Sequence, residues 1–170
     1  MPEWLADLAK INPVVPILTF VLGFMTSRFT LTKKERKDLE QKQFENSKSL
    51  LEAQHERFQS FCTALLKYAN KDGDPTLDDF FSIATEGEKY FYQQKITADA
   101  ILAGKVDKQA RDNTLIPNIK ETLDISLPKY YEVLQGISSR KGIAYHGKLE
   151  RKNYESLYLV VERFGSLSAD

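Results

Sequence analysis

The pattern of hydrophobic and polar positions changes character near residue 28. Residues 11–27, reading INPVVPILTFVLGFMTS, hold no charged side chain and are apolar all round. Seventeen helical residues rise about 26 Å, just short of the ~30 Å hydrocarbon core of a bilayer. The stretch predicts a single, slightly short transmembrane helix. Asn12 suits its N-cap and Pro13 its first position, where the missing N–H is not needed. Trp4 and Phe29 flank it as interfacial aromatics would. A buried core helix is the competing reading, and the membrane is preferred because the stretch is apolar on all faces.

From Thr32 to Ala69 the pattern predicts one long helix in two halves. The first half, KKERKDLEQKQFENSKS, carries only Leu39 and Phe44 as large apolar residues, so it is solvated or packs on neighbouring subunits. The second half places Leu51, Phe58, Phe61, Cys62, Leu65 and Ala69 on a core face. The turn formers of residues 70–75 predict a stop. Thr76 then caps a helix with Leu77, Phe80, Phe81, Ala84 and Phe91 on one face, continuing apolar to Gly104. A helical region over 105–135 is expected to kink or break at Pro117 and Pro128. Its core side is Ile116, Ile119, Leu123, Leu127, Tyr131 and Leu134, and Gly136 is its expected cap. A last helix is expected over 148–164, with Leu149, Asn153, Leu157, Val160, Val161 and Phe164 at helical spacing. No segment alternates as a strand would. The predicted class is all-α: an N-terminal segment, 1–31, with one transmembrane helix, then a cytosolic helical bundle, 32–170.

Composition adds limits. Lysine plus arginine and aspartate plus glutamate both number 24, so net charge says nothing about partners. One cysteine excludes an intramolecular disulfide framework, and Cys62, among Phe58, Phe61 and Leu65, reads as a buried core thiol. With two histidines, no zinc site is expected, and the lack of a Gly-rich phosphate loop gives no reason to expect a cofactor. The local charges matter more. Arg28, Lys33, Lys34, Arg36 and Lys37 follow the oily stretch, while Glu3, Asp7 and Lys10 precede it. That asymmetry predicts an inner-membrane protein with its N-terminus outside and its C-terminal domain in the cytoplasm. The basic cluster and A-x-A-like site of a cleaved signal peptide are not seen.

Thr19, Gly23 and Ser27 are spaced four apart and share one face of the oily helix. Small residues at that spacing let helices approach closely in lipid, although glycine and threonine are common in membrane helices for other reasons. In an oligomer, Asn12 and Thr26 would face each other or line a water-filled lumen.

The stretch that concentrates titratable and cationic groups is SSRKGIAYHG, 138–147. Arg140, Lys141, Lys148, Arg151 and Lys152 against Glu150 make a basic patch suited to phosphate or RNA contact. An arginine that holds phosphate and His146, which can move a proton near neutral pH, are the minimum set for metal-free RNA cleavage. A solvated interhelical loop is the alternative.

The run Arg140-Lys141-Gly142-Ile143-Ala144-Tyr145-His146 resembles the R-polar-x₃₋₅-H signature of HEPN domains, small helical bundles whose motif lies near the start of a late helix. Catalytic members pair two copies across a dimer. Here five residues separate Arg140 from His146 and Gly142 follows the polar position, which departs from the usual spacing and argues against nuclease activity. One membrane helix followed by a divergent HEPN-like bundle resembles the small membrane accessory proteins of type VI-B CRISPR systems. The resemblance implies a partner, an RNA-guided RNA-cleaving effector, and a role in strengthening defence against phage by forming a pore that depolarises the inner membrane. It carries over Arg140 and His146 as the motif pair. Helices about 10 Å across enclose an ion-passing lumen only from roughly six copies upward, so the expected partner is the chain itself in a ring, within the bilayer. Two other readings stand beside this non-enzymatic one: a membrane-tethered HEPN ribonuclease and a non-catalytic membrane adaptor.

Overall fold

The computed structural model describes the backbone over 14–165 and side chains over 32–165. Every described element is helical, so the protein is all-α, and no strand occurs among the described residues. The chain divides into two compact units, 1–41 and 42–170.

Helix α1 runs without interruption from Val14 to Ala69. Past Gly23 it contains neither proline nor glycine, and its polar half is rich in lysine, glutamate and glutamine, all good helix formers. In the 1–41 unit, every side chain from Thr32 onward is exposed, including Leu39. Among the residues searched, no helix is long and apolar enough to cross a membrane. The predicted span lies outside the residues whose side chains are described. Thr19, Gly23, Thr26 and Ser27 fall within the helical backbone of α1, whereas Asn12 lies outside the described residues altogether.

In the 42–170 unit the expected stop after Ala69 is present, with Gly73 in a left-handed conformation at φ 101°. Helix α2, Leu77–Leu102, begins with a full capping box. The Thr76 N–H donates to Asp79 Oδ2 at 2.6 Å, and the Asp79 N–H donates to Thr76 Oγ1 at 3.3 Å. Two of the helix's orphan donors are thereby satisfied. Lys71 Nζ donates to the same carboxylate at 2.7 Å and fastens the turn to the helix start. The buried face of α2 is Phe80, Ile83, Gly87, Tyr90, Phe91, Gln94, Thr97, Ala98 and Ile101. Leu77 and Phe81, expected on that face, are exposed.

Of the kink or break expected at Pro117 and Pro128, no break occurs. A helical run over 108–141 absorbs both prolines by widening the turn before each. It comprises α3 (Lys108–Ala110), a π-turn (Arg111–Leu115), α4 (Ile116–Glu121), a second π-turn (Thr122–Ser126) and α5 (Leu127–Lys141). The Ile116 N–H donates to Arg111 O, and the Leu127 N–H to Thr122 O, one residue further back than in an α-helix. A proline ring clashes with the carbonyl four residues before it and offers that carbonyl no donor. The extra residue moves the carbonyl aside at both places, and the two prolines sit at the same offset after their π-turns.

Helix α5 also runs past Gly136 to Lys141. The residue that ends it is Gly142, at φ 65°, in the left-handed cap conformation that glycine adopts without a Cβ penalty. The last helix is shorter than expected. Residues 143–150 form no regular element, Arg151–Tyr154 is a 3₁₀ turn, and α6 is Glu155–Phe164.

The core of this unit lies where α2 packs against α5 and α6. Ile83, Leu115, Ile116, Ile119, Leu127, Leu134, Ile137, Leu157 and Val160 are fully buried. Beside them Phe61, Tyr90, Phe91 and Tyr130 form an aromatic cluster, with Phe91 and Tyr130 edge to face at 5.0 Å. Helix α1 contributes Leu50, Gln54, Phe61 and Ala64 as its buried face, whereas Phe58 is exposed and Cys62 only half-buried. Burial still pushes the Cys62 thiol up from its ordinary pKa. Polar contacts strap α1 to the end of α2. Gln43 Nε2 donates to Gly104 O, Asn46 Nδ2 to Lys105 O, and the Asp107 N–H to buried Ser47 Oγ, each at 2.8 Å.

Candidate functional site

The basic stretch occupies the junction between α5 and α6. Arg140 and Lys141 close α5, where basic residues complement the carbonyl end of the helix dipole. After Gly142 the chain turns back, with the Ile143 N–H on Ser138 O at 3.0 Å. The irregular segment is pinned from two sides. Gln135 Nε2 donates to Gly147 O at 2.9 Å, and the Tyr145 ring stands edge-on to Phe80 at 5.3 Å. Burial raises the Tyr145 phenol above its ordinary pKa, so it stays neutral.

The five basic residues behave as two groups. Lys148 and Lys152 both pair with Glu150, at 3.2 and 2.7 Å, and hold its carboxyl below the ordinary range, Lys152 most strongly. Arg151 pairs with Glu162 and lies over the Tyr158 ring at 5.0 Å. Their charges are thus partly answered within the chain. Arg140 and Lys141 are exposed and have no ion pair among the described residues.

The structure separates the two members of the motif by local conformation. Arg140 is in the last turn of a helix, and His146 is in the irregular segment beyond the Gly142 cap. Both are exposed, and neither side chain has a hydrogen bond or ion pair among the described residues. The motif does not lie at the start of a helix: α6 begins at Glu155, after the 3₁₀ turn. Among the described residues, nothing holds the imidazole in a fixed tautomer or directs it at a phosphate gripped by Arg140. General acid–base work needs that positioning first and the pKa second. Among the described residues no group of three His, Cys, Asp or Glu side chains is placed to hold a metal ion.

A second polar centre was not anticipated from the sequence. Gln54 of α1 and Gln94 of α2 are 3% and 1% exposed, and Gln54 Nε2 donates to Gln94 Oε1 at 3.0 Å. Beside them the Tyr90 and Thr122 hydroxyls share a hydrogen bond of 3.1 Å. Burial pushes the Tyr90 phenol up, against the opposing hydrogen bonds from Thr122 and Gln94. The signal for this centre was Gln94 itself, a polar residue between Phe91 and Ala98 on the core face of α2.

Among known proteins, no family model, no curated sequence and no solved structure matches this chain.

Proposed function

We propose that the chain is a membrane-anchored accessory protein of antiviral defence that assembles through its N-terminal helix into a pore. In this reading the oily stretch 11–27 spans the inner membrane, and Thr19, Gly23 and Ser27 form the close helix contact. Asn12 and Thr26 reach the lumen. The partnership with an RNA-guided, type VI-B effector rests on the resemblance in layout.

One observation carries the self-assembly part of the proposal. Helix α1 keeps regular helical backbone through 32–41, where every side chain is exposed. Helices in water draw most of their stability from burying an apolar face. A segment with exposed Leu39 and densely mixed charge is solvated or packs on neighbouring copies, and in this reading its charges pair across neighbours and cover Leu39.

A specific observation favours a second reading, a membrane-tethered ribonuclease. Arg140 and His146 are both exposed and uncommitted, so two copies could bring two such pairs together. The two readings separate on Gly23→Leu, which adds bulk at the helix contact without making the span less apolar. The pore reading expects this variant to insert in the membrane yet lose both the large oligomer and membrane depolarisation. Unchanged depolarisation, in this variant and in a deletion of residues 1–28, would overturn it.

A further inference from the structure

A cavity of about 300 Å³ opens between α1, α2 and the two π-turns, wholly inside the 42–170 unit. That volume lies at the lower end of the range for small-molecule sites. Three features of its wall define what it would take.

The first is an unanswered acceptor. Gln54 lines the cavity, is 97% buried by its 3% exposure, and its Oε1 has no hydrogen-bond partner. Buried polar atoms without partners are exceptions that call for an explanation, and because Gln54 lines the cavity, a turn of its amide would present this acceptor to a ligand there. The neighbouring polar groups are already engaged: Gln54 Nε2 with Gln94, and Tyr90 with Thr122. The second feature is the sign of the remaining polar wall. Asn118, Glu121 and Ser126 line the cavity from the helical run whose Leu115, Ile119 and Leu123 are buried. No lysine or arginine is among the lining residues, the one histidine, His55, has its Nε2 engaged with Gln59 Nε2 at 2.8 Å, and the one carboxylate is Glu121, so the wall disfavours an anion. The third is aromatic. Phe58 and Tyr90 both line the cavity, with ring centroids 5.5 Å apart, and offer a π-face to a flat ligand. Both π-turns border the cavity through Thr114, Thr122 and Ser126, and such turns recur at functional sites.

From these features we propose that the cavity binds a small planar ligand that carries N–H donors and no negative charge, of the chemical class of nucleobases and nucleosides. Its N–H groups would meet the Glu121 carboxylate and, once the Gln54 amide turns toward the cavity, Gln54 Oε1, and its ring would lie against Phe58 and Tyr90. The site is independent of the membrane reading and stands or falls without it.

The test is calorimetric titration of the full-length protein in mild detergent with adenosine, cytidine and adenosine monophosphate. At least one nucleoside binds in the micromolar to millimolar range, and the monophosphate binds at least about tenfold more weakly than adenosine. Asn118→Trp, at a half-buried position, fills the cavity and abolishes nucleoside binding. Glu121→Lys, at an exposed position that tolerates substitution, narrows or reverses the preference for adenosine over its monophosphate. A cavity that holds only water gives no nucleoside binding at millimolar concentration, and that result overturns the proposal. So does equal affinity for the monophosphate, or a preference that Glu121→Lys leaves unchanged.

Discussion

Gly87 and Gly136 both lie inside helices, and replacing each by alanine should move stability in opposite directions. Alanine in a helix interior is worth about 1 kcal/mol over glycine when nothing opposes the new methyl group. At Gly136 nothing lies within 4 Å of where a Cβ would sit, so that gain is realised. At Gly87 the Cβ would come within 2.7 Å of Tyr130 Cδ2, closer still to Cε2, and 3.2 Å from Phe61 Cε2. Ordinary carbon contacts lie near 3.5–4.0 Å, so the Tyr130 ring must retreat by about 1 Å. It has little freedom to do so. It is 4% exposed, its hydroxyl donates to Ala84 O at 3.1 Å, and its ring stands against both Phe91 and Phe61. Overpacking costs about 1–3 kcal/mol and a lost hydrogen bond about 0.5–1.5 kcal/mol. After the propensity gain, Gly87→Ala is destabilised by about 0.5–3.5 kcal/mol. The two variants should therefore differ by about 1.5–4.5 kcal/mol. Urea unfolding of the full-length protein in detergent, followed by far-ultraviolet circular dichroism, would resolve this. With a slope of about 2 kcal/mol per molar urea, the midpoints separate by roughly 1 M or more. A Gly87→Ala midpoint at or above wild type would refute the packing argument.

Two further outcomes follow from single sites. Asp79 is held at about 2, below its ordinary 3.8, first by the Lys71 hydrogen bond and then by the Thr76 hydroxyl, against the opposing effect of burial. A lowered folded-state value means stability that is present above about pH 4 and lost as pH falls towards 2, so Asp79→Asn should flatten the acid limb of the stability profile in that window. Replacing Arg140 and His146 together by alanine should leave RNA integrity unchanged in a fluorescent cleavage assay; wild-type cleavage abolished by His146→Ala alone would establish the tethered ribonuclease instead.

Much of the helical layout was legible from local chemistry. Residues 70–75 end one helix, and Thr76 with Asp79 starts the next, because caps are decided by side chains within a few residues of the backbone they satisfy. The face of Ile116, Ile119, Leu123, Leu127 and Leu134 was also legible, since α4 and α5 present one dominant apolar stripe. In α1 the apolar residues fall on neighbouring faces. Contacts from α2 and the 108–141 run bury Leu50, Gln54 and Ala64 and leave Phe58 in the open. Pro117 and Pro128 marked where the α-helical ladder is disturbed, but not that the helix continues through a π-turn before each, which leaves no residue-type signature of its own. Gly136 and Gly142 offered two stops, and only the backbone conformation distinguishes them. At the basic junction, composition located Arg140 and His146 but not their separation by the Gly142 cap. The Gln54–Gln94 centre was hidden because an isolated glutamine reads as a surface residue.

The central claim is that this chain anchors in a membrane and works as a ring of its own copies. The most direct test is native mass spectrometry of the full-length protein released from detergent micelles. The account predicts a single closed assembly of six or more chains. A monomer or a dimer as the largest species would contradict it.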